Sequence, residues 1–378
     1  MVNNKKYLNI ISLSILFYYF VIYTITGSLY EEYDQGNFMK VSFIILCILL
    51  FPYFLKYYNN FVVFIILIIY MVIYLIYYYI FREYYITNEV IWFQAKVILY
   101  SIFNILLAIV FYNNIDNIKF KIMVLITIIC LSSLVFLYID YTTFRYTLAY
   151  QLVGGVYPLF AIFLVTLINK QFFRIIFMTF SLILLYLVKS RASFYAFFVI
   201  YLIFLLKELG FKNFFYLIIF SSLFCYVLII LDLVKVNTRM FGIYNMIKDG
   251  SFNERLEQFK YGLEAIKSNW FFGQYGGQVI YHEGSMYESG LGSYMHNFLS
   301  FWRQFGILFF ITFTIFYFSR LLKVFKLWIY GHKNSDYVFY IGLYMAIGIL
   351  LFHSYSYPYI WFAMTLMHLY SINNSKNV

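Results

Sequence analysis

Residues 61–81 read FVVFIILIIYMVIYLIYYYIF, an unbroken apolar and aromatic run without a single charge. A helix of roughly 20 such residues crosses about 30 Å of hydrocarbon, and in lipid it satisfies all its backbone polar groups internally. The stretch therefore predicts a transmembrane helix, and the rest of the chain repeats it. Apolar runs at about 8–26, 38–55, 91–112, 121–139, 150–168, 173–189, 192–206, 214–232, 297–318, 337–353 and 355–371 bring the expected number of spans to about 12. The expected fold class is all-α: a polytopic membrane protein forming one integral membrane domain over residues 1–378.

Composition excludes the soluble alternatives. Of 378 residues, 64% are hydrophobic and 11% charged, which leaves too little polar surface for a water-soluble fold. The three cysteines, Cys47, Cys130 and Cys225, fall inside apolar runs without metal-like spacing, as expected of small apolar fillers. No small-residue cleavage site follows Lys5 and Lys6, so the first span is expected to remain in place. The 43 tyrosines and 47 phenylalanines fit lipid-facing and interfacial positions and do not by themselves mark binding sites.

The net charge of +11 is a topology signal. With both termini placed in the cytoplasm, basic residues such as Lys56, Lys119, Lys121, Lys170, Arg174, Lys207, Lys212, Arg320, Lys323, Lys326 and Lys333 all fall inside. Only Asp116, Glu208 and Asp336 accompany them among the acids. Nucleic acid is therefore not an expected partner. The same assignment leaves one long outer loop, residues 233–296. Within it Phe252, Leu256, Phe259, Leu263 and Ile266 recur at helical spacing behind a Ser251/Glu254 capping box. These residues predict an amphipathic helix over about 252–268, ended by Gly273, Gly276 and Gly277.

Chemistry-bearing residues cluster around this loop. Lys189 and Arg191, in YLVKSRASFYAF, form a basic pair on the side that disfavours them. Long side chains snorkelling to the interface would explain the pair, and so would an anion site, since guanidinium holds phosphate oxygens through paired hydrogen bonds. Arg255 follows the capping box; it reads either as a solvated partner of a nearby acid such as Glu257 or as part of an anion site. His296 heads the stretch HNFLSFWRQFGI, with Asn297 placed to orient it or to cap the next helix. An imidazole there suits either interfacial packing or removal of a proton from a sugar hydroxyl. A continuous helix onward from Phe298 would put Arg303 two turns from His296 on the same face, deeper in the span. His353 and His368, in or beside the last two spans, read as packed residues. Asp-x-Asp, Gly-x-Ser-x-Gly and Walker lysine motifs are absent, so neither a metal nor another cofactor is expected.

Three pieces in order, SRASF at 190–194, NERLEQFKYGLEAIKSNWFFGQYGG at 253–277 and MHNFLSFWRQFGI at 295–307, resemble the superfamily of bacterial O-antigen polymerases and O-antigen ligases. The resemblance implies a GT-C-like membrane glycosyltransferase that works metal-independently, with inversion, at the periplasmic face of the inner membrane. Its donor would be an undecaprenyl-pyrophosphate-linked oligosaccharide. Arg191 and Arg255 would hold the pyrophosphate, and His296 would ready the acceptor hydroxyl. Lys189, Asn297, Arg303 and Gly276 would contact substrate, although GQYGGQ departs from the family's plainer Gly-x-Gly. Membrane lipid and a chain-length regulator protein are the implied partners. A polymerase is favoured over a ligase acting on lipid A core. Two other classes remain: a lipid-linked oligosaccharide flippase, which would want charges within many spans where only Lys96 is found, and a metal-dependent transferase using Glu31, Glu32 and Asp34.

Overall fold

The computed structural model describes residues 61–81, 88–139, 147–188, 190–230, 250–274 and 295–374. The expected spans at 8–26 and 38–55, and the candidate residues Lys189 and Gly276, lie outside the described residues. Those described are helical: α1 Val62–Ile80, α2 Asn88–Asn114, α3 Ile118–Ile139, α4 Thr147–Leu167, α5 Gln171–Leu187, α6 Arg191–Ile230, α7 Gly250–Ser268, α8 Leu299–Ile329, α9 Ser335–Leu351 and α10 Tyr359–Asn374. Four stretches, Val62–Ile80, Asn88–Asn114, Arg191–Ile219 and Leu299–Ile329, are long and apolar enough to cross a membrane. Shorter apolar helices accompany them. On α1, Phe64, Leu67 and Met71 are buried while Ile66, Ile69 and Ile73 stay exposed; an apolar residue on every face is what a helix bordered by lipid requires.

The chain divides into two compact units, one of residues 1–123 and 254–378 and one of residues 124–253. In the first, α10 is the central helix, touching α2, α8 and α9. Its residues from Tyr359 to Ser371 are all buried. His368 packs there as expected, with its ring against those of Phe61, Phe64 and Phe316. At one end of this unit Lys333 pairs with Asp116 at 3.3 Å, and Tyr370 donates to the Lys333 carbonyl at 2.7 Å.

The second unit packs α4, α5 and α6 together. Helix α6 is two helices joined at Gly210, whose φ of 72° and ψ of 164° lie outside helical geometry. Glycine takes that conformation without a Cβ penalty, and the break separates the runs expected at 192–206 and 214–232. Just before it, Glu208 receives Arg174 at 2.8 Å and its carbonyl receives the Gln171 side chain, joining α5 to α6.

Candidate active site

Helix α8 does not run straight from His296 into the membrane. At Gly306 φ is 79° and ψ is 177°, so Leu299–Phe305 and Ile307–Ile329 are separate helical segments. In one continuous helix Phe298 would stand about 18 Å along the axis from Phe310 and about 30 Å from Phe318. Their ring centroids are instead 4.9 Å and 5.9 Å from that of Phe298, and Phe301 stacks on Phe313 at 4.3 Å. The short segment doubles back along the helix that follows. The expected placement of Arg303, two turns deeper than His296 along one span, is thereby corrected: both precede the break, and Arg303 is buried within the hairpin.

A break exposes peptide groups that must find partners. Here they come from the end of the α7 segment. The Phe271 carbonyl accepts from Ile307 N at 3.2 Å, and the Arg303 carbonyl accepts from Gln274 N at 2.6 Å. Two glycines with positive φ, Gly273 and Gly306, make this crossing possible. A Cβ on Gly306 would run into the Phe271 carbonyl oxygen, and one on Gly273 would meet the backbone of Arg303, Phe305 and Gly306. Around it, Trp302 Nε1 donates to the Trp270 carbonyl at 2.7 Å. From α1, Tyr70 donates to the Phe305 carbonyl at 2.9 Å and Tyr74 to that of Phe272.

Helix α7 begins at Gly250 and already contains Ser251, so Ser251 does not stand outside the helix as the expected cap. The Glu254 carboxylate accepts instead from the Gln258 amide at 3.1 Å. Its buried stripe is Gln258, Gly262 and Ile266, one residue per turn, whereas Leu256 and Phe259 of the expected apolar face are exposed. Gly262 lets α7 close against buried Met295: a Cβ there would lie 2.9 Å from the Met295 sulfur. Arg255, two turns back on α7, is thus brought beside His296.

The electrostatics show the result. Burial, and then the Arg255 guanidinium, hold the His296 imidazole down at about 4. Asn297 serves the local turn, its side-chain oxygen accepting from Leu299 N at 3.0 Å. Arg191 is half-buried in the second unit as the first residue of α6. Ser190 precedes it, donating to Ser193 Oγ at 3.0 Å, and both hydroxyls close over Gly154, where a Cβ would come within 2.8 Å of each.

One member of the site was not foreseen. His353, in the loop between α9 and α10, is held at about 3 by burial and then by the charges of His296 and Arg255. Both imidazoles keep part of their surface open despite this desolvation. The loop is fastened to the short segment of α8: Ser300 Oγ accepts from Tyr355 N at 2.8 Å, and the Tyr355 ring lies 5.7 Å from that of Phe305. The available sequence signal was HSYSYPY at 353–359, a polar interruption before Pro358 between two apolar runs.

The profile of the O-antigen ligase family matches residues 175–314. This stretch is similar to the O-antigen ligase family. It encloses Arg191, Arg255, His296, Asn297 and Arg303, together with the Gly306 hairpin and the α7 segment that braces it. The match supports membership of the O-antigen ligase and polymerase superfamily, whose members are glycosyltransferase-like enzymes of surface-polysaccharide synthesis. With its long apolar helices the chain is a multi-pass membrane protein. A search of curated proteins found no match.

Proposed function

We propose that the protein polymerises a surface polysaccharide. It would transfer a glycan from undecaprenyl pyrophosphate to a sugar of a second lipid-linked repeat unit, at the periplasmic face of a bacterial inner membrane, with both chain ends in the cytoplasm. One observation carries this: the stretch matched by the O-antigen ligase family contains a half-buried imidazole, His296, whose proton affinity is set in part by the neighbouring Arg255.

In the proposed step the acceptor hydroxyl oxygen bonds to the anomeric carbon from the side opposite the pyrophosphate. The bond from that carbon to the pyrophosphate oxygen breaks, its electron pair leaves with undecaprenyl pyrophosphate, and the hydroxyl proton passes to His296. Arg255 and Arg191 offset the charge that grows on the leaving group, usually the largest catalytic contribution. The Arg255 charge explains how His296 is timed. An imidazole held at about 4 is a weak base near neutral pH. A diphosphate bound to Arg255 cancels the cation's field and raises the basicity of His296, so the base strengthens when donor is in place. Lys189, Asn297, Arg303 and Gly276 are assigned to further substrate contacts, and a chain-length regulator to a partner role.

The test is complementation of a deletion strain that makes only single-repeat lipopolysaccharide. Arg191→Ala, Arg255→Ala and His296→Ala should each insert normally yet fail to restore the ladder, with rates down by about 10²–10⁴. Full ladders from all three would reject the site. Undecorated core in the deletion strain, with long polymer accumulating on undecaprenyl pyrophosphate, would replace the polymerase reading with a ligase. Loss of activity on chelation would point to the metal-dependent class.

A further inference from the structure

Building on the glycosyl-transfer reading above, we infer that the loop from Phe352 to Pro358 is the acceptor-sugar subsite. His353 and Tyr357 form its ring-stacked wall, and His353 presents the acceptor hydroxyl to His296.

The loop is built, not loose. Its ends are held by the Gly348 carbonyl, which accepts from Phe352 N and His353 N at 2.8 Å each, and by the Ser354 carbonyl, which accepts from Tyr357 N at 3.0 Å. Inside, Ser354 and Ser356 share a hydrogen bond of 2.7 Å. Tyr355 points inward, its hydroxyl accepting from the Gln94 amide at 2.6 Å and its backbone N–H donating to the Ser300 hydroxyl. Ser300 lies one turn from His296, so the loop is locked onto the segment that carries the proposed base. The imidazole of His353 then lies flat on Tyr357, with centroids 3.8 Å apart and planes within 2°. Gly348 stands at its edge, where a Cβ would come within 3.0 Å of the ring.

His368 shows what a purely structural histidine looks like here. It is enclosed by three phenylalanines, edge-on against Phe61 and Phe64 and tilted against Phe316. His353 keeps open surface, and its ring nitrogens make no hydrogen bond among the described residues. Its charged neighbours are Arg255 and His296, which belong to the proposed transfer step. Burial, and then the neighbouring His296 and Arg255, favour the neutral form of His353. A neutral imidazole has one N–H donor and one bare nitrogen acceptor, matching a sugar hydroxyl that both accepts and donates. Flat aromatic surface beside such a group suits the apolar C–H face of a pyranose. The two histidines thereby divide the work: one receives the proton, and the other holds the hydroxyl that gives it up.

The experiment uses the full chain in proteoliposomes. The donor is undecaprenyl-pyrophosphate-linked repeat units from the deletion strain, and the acceptor is the repeat-unit oligosaccharide as its octyl glycoside, which can accept but cannot donate. His353→Ala should raise the acceptor KM by about 10-fold while kcat falls by less than about threefold; His296→Ala should show the reverse split. His353→Gln, which keeps one donor and one acceptor, should recover part of the acceptor affinity. Should His353→Ala fail to accumulate, Tyr357→Leu carries the test, since it removes the stacking wall and should also raise the acceptor KM. A wild-type acceptor KM in His353→Ala, or in Tyr357→Leu if that variant stands in, overturns the inference. So does a loss confined to kcat. If instead the wild-type protein extends no acceptor at all, the transfer reading itself fails, a result distinct from either variant outcome.

Discussion

Lys333 with Asp116, and the imidazoles of His296 and His353, are titratable groups of the same unit in opposite surroundings. The first pair is largely exposed, its side chains 80% and 69% accessible. Water screens such a contact, which contributes about 0–1 kcal/mol. In the second group the imidazoles are desolvated, and one guanidinium shifts the proton affinity of both. The difference lies in the dielectric, since unit charges at similar spacing interact several-fold more strongly once water is removed. The short segment of α8 that follows His296 is in turn held in place by the Gly306 hairpin.

The sharpest way to break the contrast is to open the hairpin. Gly306→Val should cost more than about 3 kcal/mol through the left-handed backbone and the two cross-segment hydrogen bonds it disrupts. Thermal unfolding of the purified protein should fall steeply, and a wild-type melting temperature would remove the hairpin from the account. Next comes pH. His296 and His353 are held at about 4 and about 3, below the ordinary imidazole value of about 6.5. The unfolded chain then binds more protons than the folded one at acid pH, so stability rises with pH. Their contribution is full above about 6.5 and is lost as pH falls through about 4 and then about 3. Melting temperatures from pH 7 to pH 4 should drop for the wild type and drop less for the His296→Gln/His353→Gln double variant. Equal slopes would mean that the imidazoles are not buried neutral. The smallest effect belongs to the exposed pair: Asp116→Asn should shift stability by about 0.5 kcal/mol or less, with ladder formation intact. A large loss there would erase the distinction between the two groups.

The helices were legible because hydropathy is a local property. The run at 61–81 became Val62–Ile80, the one at 337–353 became Ser335–Leu351, and the amphipathic stretch at 252–268 became Gly250–Ser268. Glycine flanked by Lys207 and Lys212 marked the break at Gly210 through the charges around it. Gly306 carried no such mark. It sits in the apolar run QFGILFF, where one glycine is compatible with a continuous span, and its conformation depends on peptide groups about 30 residues earlier in the chain. His296 and Arg255 were singled out by residue type and order, and the fold brings the Arg255 charge to bear on His296. His353 lies beyond the stretch matched by the O-antigen ligase family, and only the tertiary contacts of its neighbour Tyr355 with Ser300 and Gln94 tie its loop to the rest of the unit.

The seam between Phe271–Gln274 and Arg303–Ile307 is made from main-chain atoms and two glycines. Apart from those glycines it asks little of side-chain identity, and Trp270 and Phe272 keep more than half of their surface exposed around it. Such a joint can stay constant while the surface beside it is rewritten. An enzyme of this build could follow a changing glycan coat by substituting exterior aromatics, without re-engineering the machinery that makes the bond.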